Sequence, residues 1–243
     1  MNNFFVLKNE KLVYCDRPDK IHAKKAIDDF FDAFFPFLRN EIGWAIDIGA
    51  SCGDSTVVMM ACLAPHKDSR VLVFEPSHEI KPLLINNIRR NATLKVDVNL
   101  HPVAAGNVFE KIDFVYGIDN GGLMLPEFLA GRGTSHVSYQ VQVVHTYAYL
   151  RSIYKREELD KIKFIKIDTE GYDYQVLKGL APLIYKNQIP IICEWWNNKD
   201  ISRLLFEVIG GLYYQAFNSN GIPVSHEDFD GPKKTGDLLL KPL

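Results

Sequence analysis

Apolar residues recur along this chain in two periods, and the switches between them predict its elements. Residues 3–15 alternate loosely around Lys8-Asn9, which predicts a short hairpin, and residues 21–39 carry apolar side chains at helical spacing. From residue 44 onward, short apolar runs alternate with helical segments. The pattern predicts strands at 44–49, 71–75, 95–101 and 111–116, with helices at 53–64 and 78–90. It then predicts helix 173–186, strand 190–194, helix 199–210 and two final strands near 213–218 and 236–241. Such alternation implies an α/β fold around a parallel sheet. Residues 118–140 are Gly-rich and lack periodicity, and a loop of this length is usually disordered or a functional lid. The phenylalanines 30, 31, 34, 35 and 37 form a stripe that could face a membrane or a partner. Packing onto the sheet is the commoner fate of such stripes, and residues 1–40 are read as a cap of hairpin and helix belonging to the same unit as residues 41–243.

The polar residues that interrupt this pattern gather at strand ends. In WAIDIGASCGDS, Trp44 to Ser55, an apolar run ends in Asp47, Gly49 and Gly53 and leads into a helix, the arrangement that holds nucleotide-like cofactors. A dinucleotide pyrophosphate calls for Gly-x-Gly-x-x-Gly, and Ser51 stands where the second glycine would be. S-adenosylmethionine carries no phosphate and needs a carboxylate for its amine beside close backbone approach, which Asp47, Gly49 and Gly53 suit. In VLVFEP, Val71 to Pro76, a second strand ends in an acid 22 residues beyond Gly53. A carboxylate there can accept hydrogen bonds from both hydroxyls of a ribose. Glu75 is therefore assigned to the ribose, against the plain alternative of a solvated strand-end acid.

A third stretch, FIKIDTEGYDYQVLKGL from Phe164 to Leu180, places Lys166, Asp168 and Glu170 at period two, on one side of a strand while the strand lasts. A lysine inside an apolar strand is costly unless paired, so Lys166 is expected to neutralise a neighbouring carboxylate at the strand's carboxyl end. The alternative is that Asp168 or Glu170 caps the helix beginning near Tyr172.

These three stretches resemble, in order, the motifs of the FkbM-type family of S-adenosylmethionine-dependent methyltransferases: AIDIGASCGDS at 45–55, VFEPSHEIKPLLINNIRRN at 73–91 and the 164–180 stretch. Weaker echoes lie in HPVAAGN at 101–107 and IICEWW at 191–196. The resemblance implies a single doubly wound, Rossmann-like methyltransferase domain with a mostly parallel seven-stranded sheet and an antiparallel C-terminal edge hairpin. It implies methyl transfer to a hydroxyl, often on sugars or glycans. It also implies that S-adenosylmethionine contacts Asp47, Gly49, Ala50, Ser51, Gly53, Asp54, Ser55, Glu75, Pro76, Ala104 and Asp168, with Asn120, Gly121 and Gly122 nearby. The family usually carries a Leu-Asp-Asp stretch before the third motif, and here that place reads His145, Thr146, Tyr147, Ala148. If the missing acid orients substrate in relatives, His145 or Tyr147 must substitute or the acceptor differs; if it caps a helix, little is lost.

Methyl transfer to oxygen requires the acceptor to be held about 3 Å from the methyl and its proton removed. Asp168, Glu170, Glu194 and His145 are the candidate bases, with Lys166 beside them. The three acids could also hold a divalent metal, magnesium or manganese, but Lys166 would occupy part of that site.

Composition narrows the acceptor. The chain has 243 residues, 47% hydrophobic and 24% charged, with a formal net charge of −2, and so offers no broad field for a phosphate backbone. Its lysine-bearing stretches 20–25 and 155–163 are interrupted by acids and read as solvated helix faces. Asp168-Thr169-Glu170-Gly171 replaces the Asn/Asp-Pro-Pro-Tyr/Phe turn of base-amino methyltransferases, so a nucleic-acid acceptor is not expected. The four cysteines lack metal or disulfide spacing. No apolar run reaches 18 residues and the N-terminus lacks a signal peptide's pattern, so a cytoplasmic protein without a transmembrane segment is expected. The acceptor is thus a small molecule or glycan; a lipid or polyketide hydroxyl or carboxyl, or a protein that binds the cofactor without turnover, are the alternatives. Trp195 and Trp196 could stack on a sugar, line a lipid pocket, or simply pack.

Overall fold

The computed structural model describes residues 4–17, 23–39, 43–64, 66–117, 136–195, 198–229 and 236–243. The chain runs through β1 (Phe4–Val6), β2 (Leu12–Tyr14), α1 (Ala23–Leu38), β3 (Trp44–Ile48), α2 (Asp54–Leu63), β4 (Arg70–Phe74), α3 (Lys81–Arg90), β5 (Asp97–His101), β6 (Ala104–Gly106) and β7 (Glu110–Gly117). It continues through β8 (His136–His145), α4 (Thr146–Ile153), α5 (Arg156–Leu159), β9 (Ile162–Ile167), α6 (Asp173–Asn187), β10 (Ile191–Trp195), α7 (Lys199–Gly211), β11 (Tyr214–Phe217), β12 (Pro223–Val224) and β13 (Gly236–Pro242).

The main sheet has the order β12-β11-β13-β10-β9-β3-β4-β5. Strands β10, β9, β3, β4 and β5 are parallel, whereas β13 runs antiparallel to β10, β11 to β13 and β12 to β11. The expected seven-stranded, mostly parallel sheet is thus corrected to an eight-stranded mixed one. The final two predicted strands do pair antiparallel, and the short β12 is added at the edge.

A second correction concerns β7, which was expected in the parallel sheet. It instead pairs antiparallel with β8, and β6 joins them in a separate three-stranded sheet of order β6-β8-β7. Residues 136–140, read as part of a loop, belong to β8. The reason is legible in the side chains: over 113–114 and 140–143, Phe114, Val141 and Val143 are buried while Asp113, Gln140 and Gln142 are exposed, the alternation of strands covered on one face, which ends at the buried pairs Phe114-Val115 and Val143-Val144. By contrast β3 and β4 are almost continuously buried, as strands with helices on both faces must be. Helix α3 begins at Lys81 rather than 78, with Pro82 in its first turn, where a missing N–H costs nothing.

Every residue of α2 is buried, because α1 and β2 cover the face that the sheet leaves open. Phe31 and Phe34 are buried, and the rings of Phe34 and Phe37 lie 5.2 and 5.6 Å from that of Phe164 on β9. The aromatic stripe therefore packs onto the sheet. All four cysteines are buried and free. Among the described residues no helix is long and apolar enough to cross a membrane.

Candidate active site

The carboxyl ends of β3, β4, β9 and β10 gather nearly all the residues singled out above. After β3 the chain turns through Gly49, Ser51 and Gly53, all with positive φ (74°, 49° and 87°), and enters α2 at Asp54. Ser51 adopts this left-handed conformation at some steric cost, whereas the glycines adopt it freely. A Cβ on Gly49 would stand 1.7 Å from the carbonyl oxygen of Asp168, and one on Gly53 would meet only the flexible end of Leu84, at 2.5 Å. The bareness of Gly49 thus serves the approach of the β9 turn, a reason different from the cofactor clearance that the sequence suggests. Ala50 is buried in the turn, and its carbonyl accepts from the Gly53 amide at 2.7 Å.

Asp47 is fully buried beneath this turn. Its Oδ2 accepts hydrogen bonds from the hydroxyls of Ser55 (2.8 Å) and Thr56 (2.5 Å), fastening β3 to the first turn of α2, and its Oδ1 has no hydrogen-bond partner. Asp54, itself nearly buried, pairs with Arg17 and accepts from the Ser55 amide.

Glu75 directly follows β4 and is 5% exposed. Its two oxygens accept from the amides of Ser51 (2.7 Å) and Ser77 (2.8 Å), so the carboxylate braces the glycine turn and retains a free lone pair on each oxygen. Burial pushes its pKa up to about 7, against the pull of those two amides. Pro76 follows, half-buried. The Ser77 hydroxyl accepts from Tyr139 on β8 at 3.0 Å, which ties the small sheet to this corner.

Lys166 on β9 is buried, and its ammonium lies 3.1 Å from Asp168, 3.7 Å from Asp47 Oδ1 and 3.0 Å from the Gly49 carbonyl it donates to. Burial works against its charge, but the carboxylates of Asp168 and Asp47 outweigh that penalty and hold its pKa above the ordinary lysine value. The expected pairing of this lysine is therefore present. Asp168 is half-buried, and Glu170 follows it in a left-handed conformation (φ 54°). One oxygen from each of Asp168, Glu170 and Glu194 lies within 4.8 Å of the others, a hard-oxygen set of the kind that binds magnesium or manganese. The turn amides of Thr169 and Gly171 donate to Asp173, in the first turn of α6. Burial and then the Asp168 charge raise the Asp173 pKa to about 7.

His145 ends β8 on the other sheet, paired in register with Gly106, and its Nδ1 is buried without a hydrogen-bond partner. The next residue, Thr146, fastens α4 to β6 by hydroxyl bonds of 3.0 Å to both the amide and carbonyl of Gly106. Ala104 is buried in β6. Trp195 is 4% exposed, with its indole donating to Ser202 at 3.3 Å, so it packs rather than offering a stacking face. Asn120, Gly121, Gly122 and Trp196 lie outside the described residues, as does the loop 118–135.

Sequence reasoning missed the residues that stitch the N-terminal segment to the site. Asn87 of α3 accepts from the Asp16 amide (2.9 Å) and donates to the carbonyls of Asp16 and Cys52 (2.8 Å each), and Asn91 pairs likewise with both backbone groups of Tyr14. Two asparagines four apart, one on α3 and one at its C-terminal cap, flanking arginines exposed to solvent were the available signal. Asp173 was visible as an acid in a helix's first turn.

Comparison with known proteins is consistent with this geometry. The family model described as methyltransferase FkbM domain matches residues 47–212. Among solved structures, the methyltransferase FkbM from Methylobacillus flagellatus KT superposes with a TM-score of 0.52 at 18% identity, over 82% of this chain and 43% of that one. This chain therefore spans under half the length of that protein. A putative rRNA-methylase from Clostridium thermocellum gives 0.51 at 10% identity (88% and 94% covered). A putative O-methyltransferase from Klebsiella pneumoniae gives 0.50 at 12% (92% and 81%). Identities this low speak to fold alone. No curated protein matches the chain.

Proposed function

Because the chain belongs to the methyltransferase FkbM domain family over residues 47–212, we propose that it is an S-adenosylmethionine-dependent O-methyltransferase whose acceptor is a hydroxyl of a sugar or glycan. The observation that carries the reading is the convergence of Asp168, Glu170 and Glu194 on one point beside the buried Lys166, at the carboxyl ends of adjacent parallel strands. Ligands of open α/β sheets bind at such ends.

The residues fit the cofactor. Glu75 keeps one acceptor lone pair per oxygen for the two ribose hydroxyls, and Asp47 Oδ1, which has the Lys166 ammonium at 3.7 Å but no hydrogen bond, is suited to the amine. S-adenosylmethionine supplies an electrophilic methyl on a sulfonium. The protein's part is then to orient the acceptor and take its proton. Asp168, half-buried and held at 3.1 Å by the Lys166 ammonium, is the proton acceptor in this reading; Glu170 and Glu194 receive hydrogen bonds from the acceptor's other hydroxyls. With Asp168, Glu170 and Glu194 converging and Lys166 paired to Asp168 and to the buried Asp47, the site keeps net negative charge and does not suit an anionic acceptor. Lys166 supplies the positive charge that a metal would otherwise bring, so we assign the site no metal.

A nucleic-acid acceptor is disfavoured by the net charge of −2 and by the acidity of the site. Incubation with methyl-labelled cofactor and a panel of glycans, hydroxylated metabolites, lipids and RNA tests the proposal. Label on a sugar hydroxyl supports it; label on RNA or lipid alone contradicts it.

A further inference from the structure

We infer that Arg17, delivered from the N-terminal segment, is the group that binds the carboxylate of the cofactor's methionine end. The inference rests on reading the glycine turn and Glu75 as the S-adenosylmethionine site. That carboxylate is the cofactor's one anionic group, and it sits beside an ammonium that already calls for an acid. Among the described residues, two cations stand at the glycine turn. Lys166 is committed: its side chain is 5% exposed, and it is held between Asp168, Asp47 and the Gly49 carbonyl. Arg17 is not. Its Nη1 pairs with Asp54, its Nε is buried and has no hydrogen-bond partner, and the side chain remains 22% exposed. A guanidinium presents several donors in a rigid fork that engages a carboxylate through two parallel N–H bonds, and Nε belongs to the edge opposite the committed Nη1.

The position of Arg17 is built rather than incidental. Asn87, itself fully buried, bonds both backbone groups of Asp16 and the carbonyl of Cys52, so one side chain locks the residue before Arg17 to the middle of the glycine turn. Asn91 fixes Tyr14 in the same way. The Asp54 carboxylate then orients the guanidinium at the start of α2. Residues 16 and 17 are thereby fastened to the glycine turn at Cys52 and Asp54, the turn that Glu75 also bonds at Ser51 and beneath which Asp47 lies.

Titration calorimetry with two ligands tests this. S-adenosylhomocysteine carries the amino-acid end, and 5′-methylthioadenosine has the same nucleoside without it. Arg17→Met should weaken S-adenosylhomocysteine roughly 10- to 100-fold, as loss of a charged hydrogen-bonded pair does, and leave methylthioadenosine within twofold. Arg17→Lys should recover part of the loss. Equal weakening of both ligands by Arg17→Met, or none of either, overturns the inference, since a merely structural arginine would not discriminate between them. Failure of the native protein to bind either ligand overturns the cofactor reading itself and is distinguishable from both.

Discussion

Gly49 and Asp168 are in such close backbone contact that a single added Cβ on the glycine would lie 1.7 Å from the aspartate's carbonyl oxygen. The glycine turn after β3 and the turn that carries Asp168 are thus one packed unit, and a side chain at Gly49 cannot be absorbed by a rotamer change. Gly49→Ala should destabilise the fold by about 2–4 kcal/mol, from overpacking together with a left-handed backbone that favours glycine. Gly53→Ala, which meets only Leu84, should cost less. Urea unfolding of the two variants checks the order.

Lys166 and Asp47 form the buried electrostatic link beneath that unit. Replacing Lys166 by Met leaves the fully buried Asp47, and Asp168 above it, without their cation. Breaking a buried pair from one side is expected to cost about 3–5 kcal/mol. Denaturant titration should show that loss, and a Lys166→Met variant as stable as the native protein would remove the lysine from the account.

Burial gives the site an unusual dependence of stability on pH. Glu75 and Asp173 both titrate near 7, above their ordinary values of 4.5 and 3.8. The folded state therefore holds more protons than the unfolded chain between those ordinary values and about 7, so these two groups make stability fall as pH rises through that window. Thermal melting from pH 5 to 8 should show the decline, and Glu75→Gln with Asp173→Asn should flatten it.

Much of the site was legible because its signals are local. Each of the three motifs is an apolar strand ending in a polar residue and a turn, and the strands β3, β4, β9 and β10 lie where that pattern puts them. What could not be read depends on partners far along the chain. β7 pairs with β8, whose first residues lie in a stretch that lacks helical or strand periodicity on its own. Asn87 and Asn91 act on residues more than seventy positions earlier. The need for glycine at 49 comes from Asp168, and the hydrogen-bond partner of the buried Trp195 indole is Ser202 on the next helix. No local periodicity records such contacts.

The roles proposed for Glu75 and Asp168 predict separable defects. Asp168→Asn should leave cofactor affinity within a few fold while lowering turnover by roughly 10² to 10⁴, the usual worth of a positioned base. Steady-state kinetics on the labelled acceptor, with and without a chelator, checks this. Turnover lost on chelation and restored by magnesium or manganese would instead make Asp168, Glu170 and Glu194 metal ligands, and Glu194→Gln would then be nearly as damaging.

The central claim, that the glycine turn and the Glu75 carboxylate bonded to it form an S-adenosylmethionine site, is tested most directly by calorimetric titration of S-adenosylhomocysteine into the native protein and Glu75→Ala. The account predicts one-to-one binding by the native protein and a loss of about 1.5–3 kcal/mol in the variant, as for the removal of charged hydrogen bonds. Binding to Glu75→Ala as tight as to the native protein would contradict it.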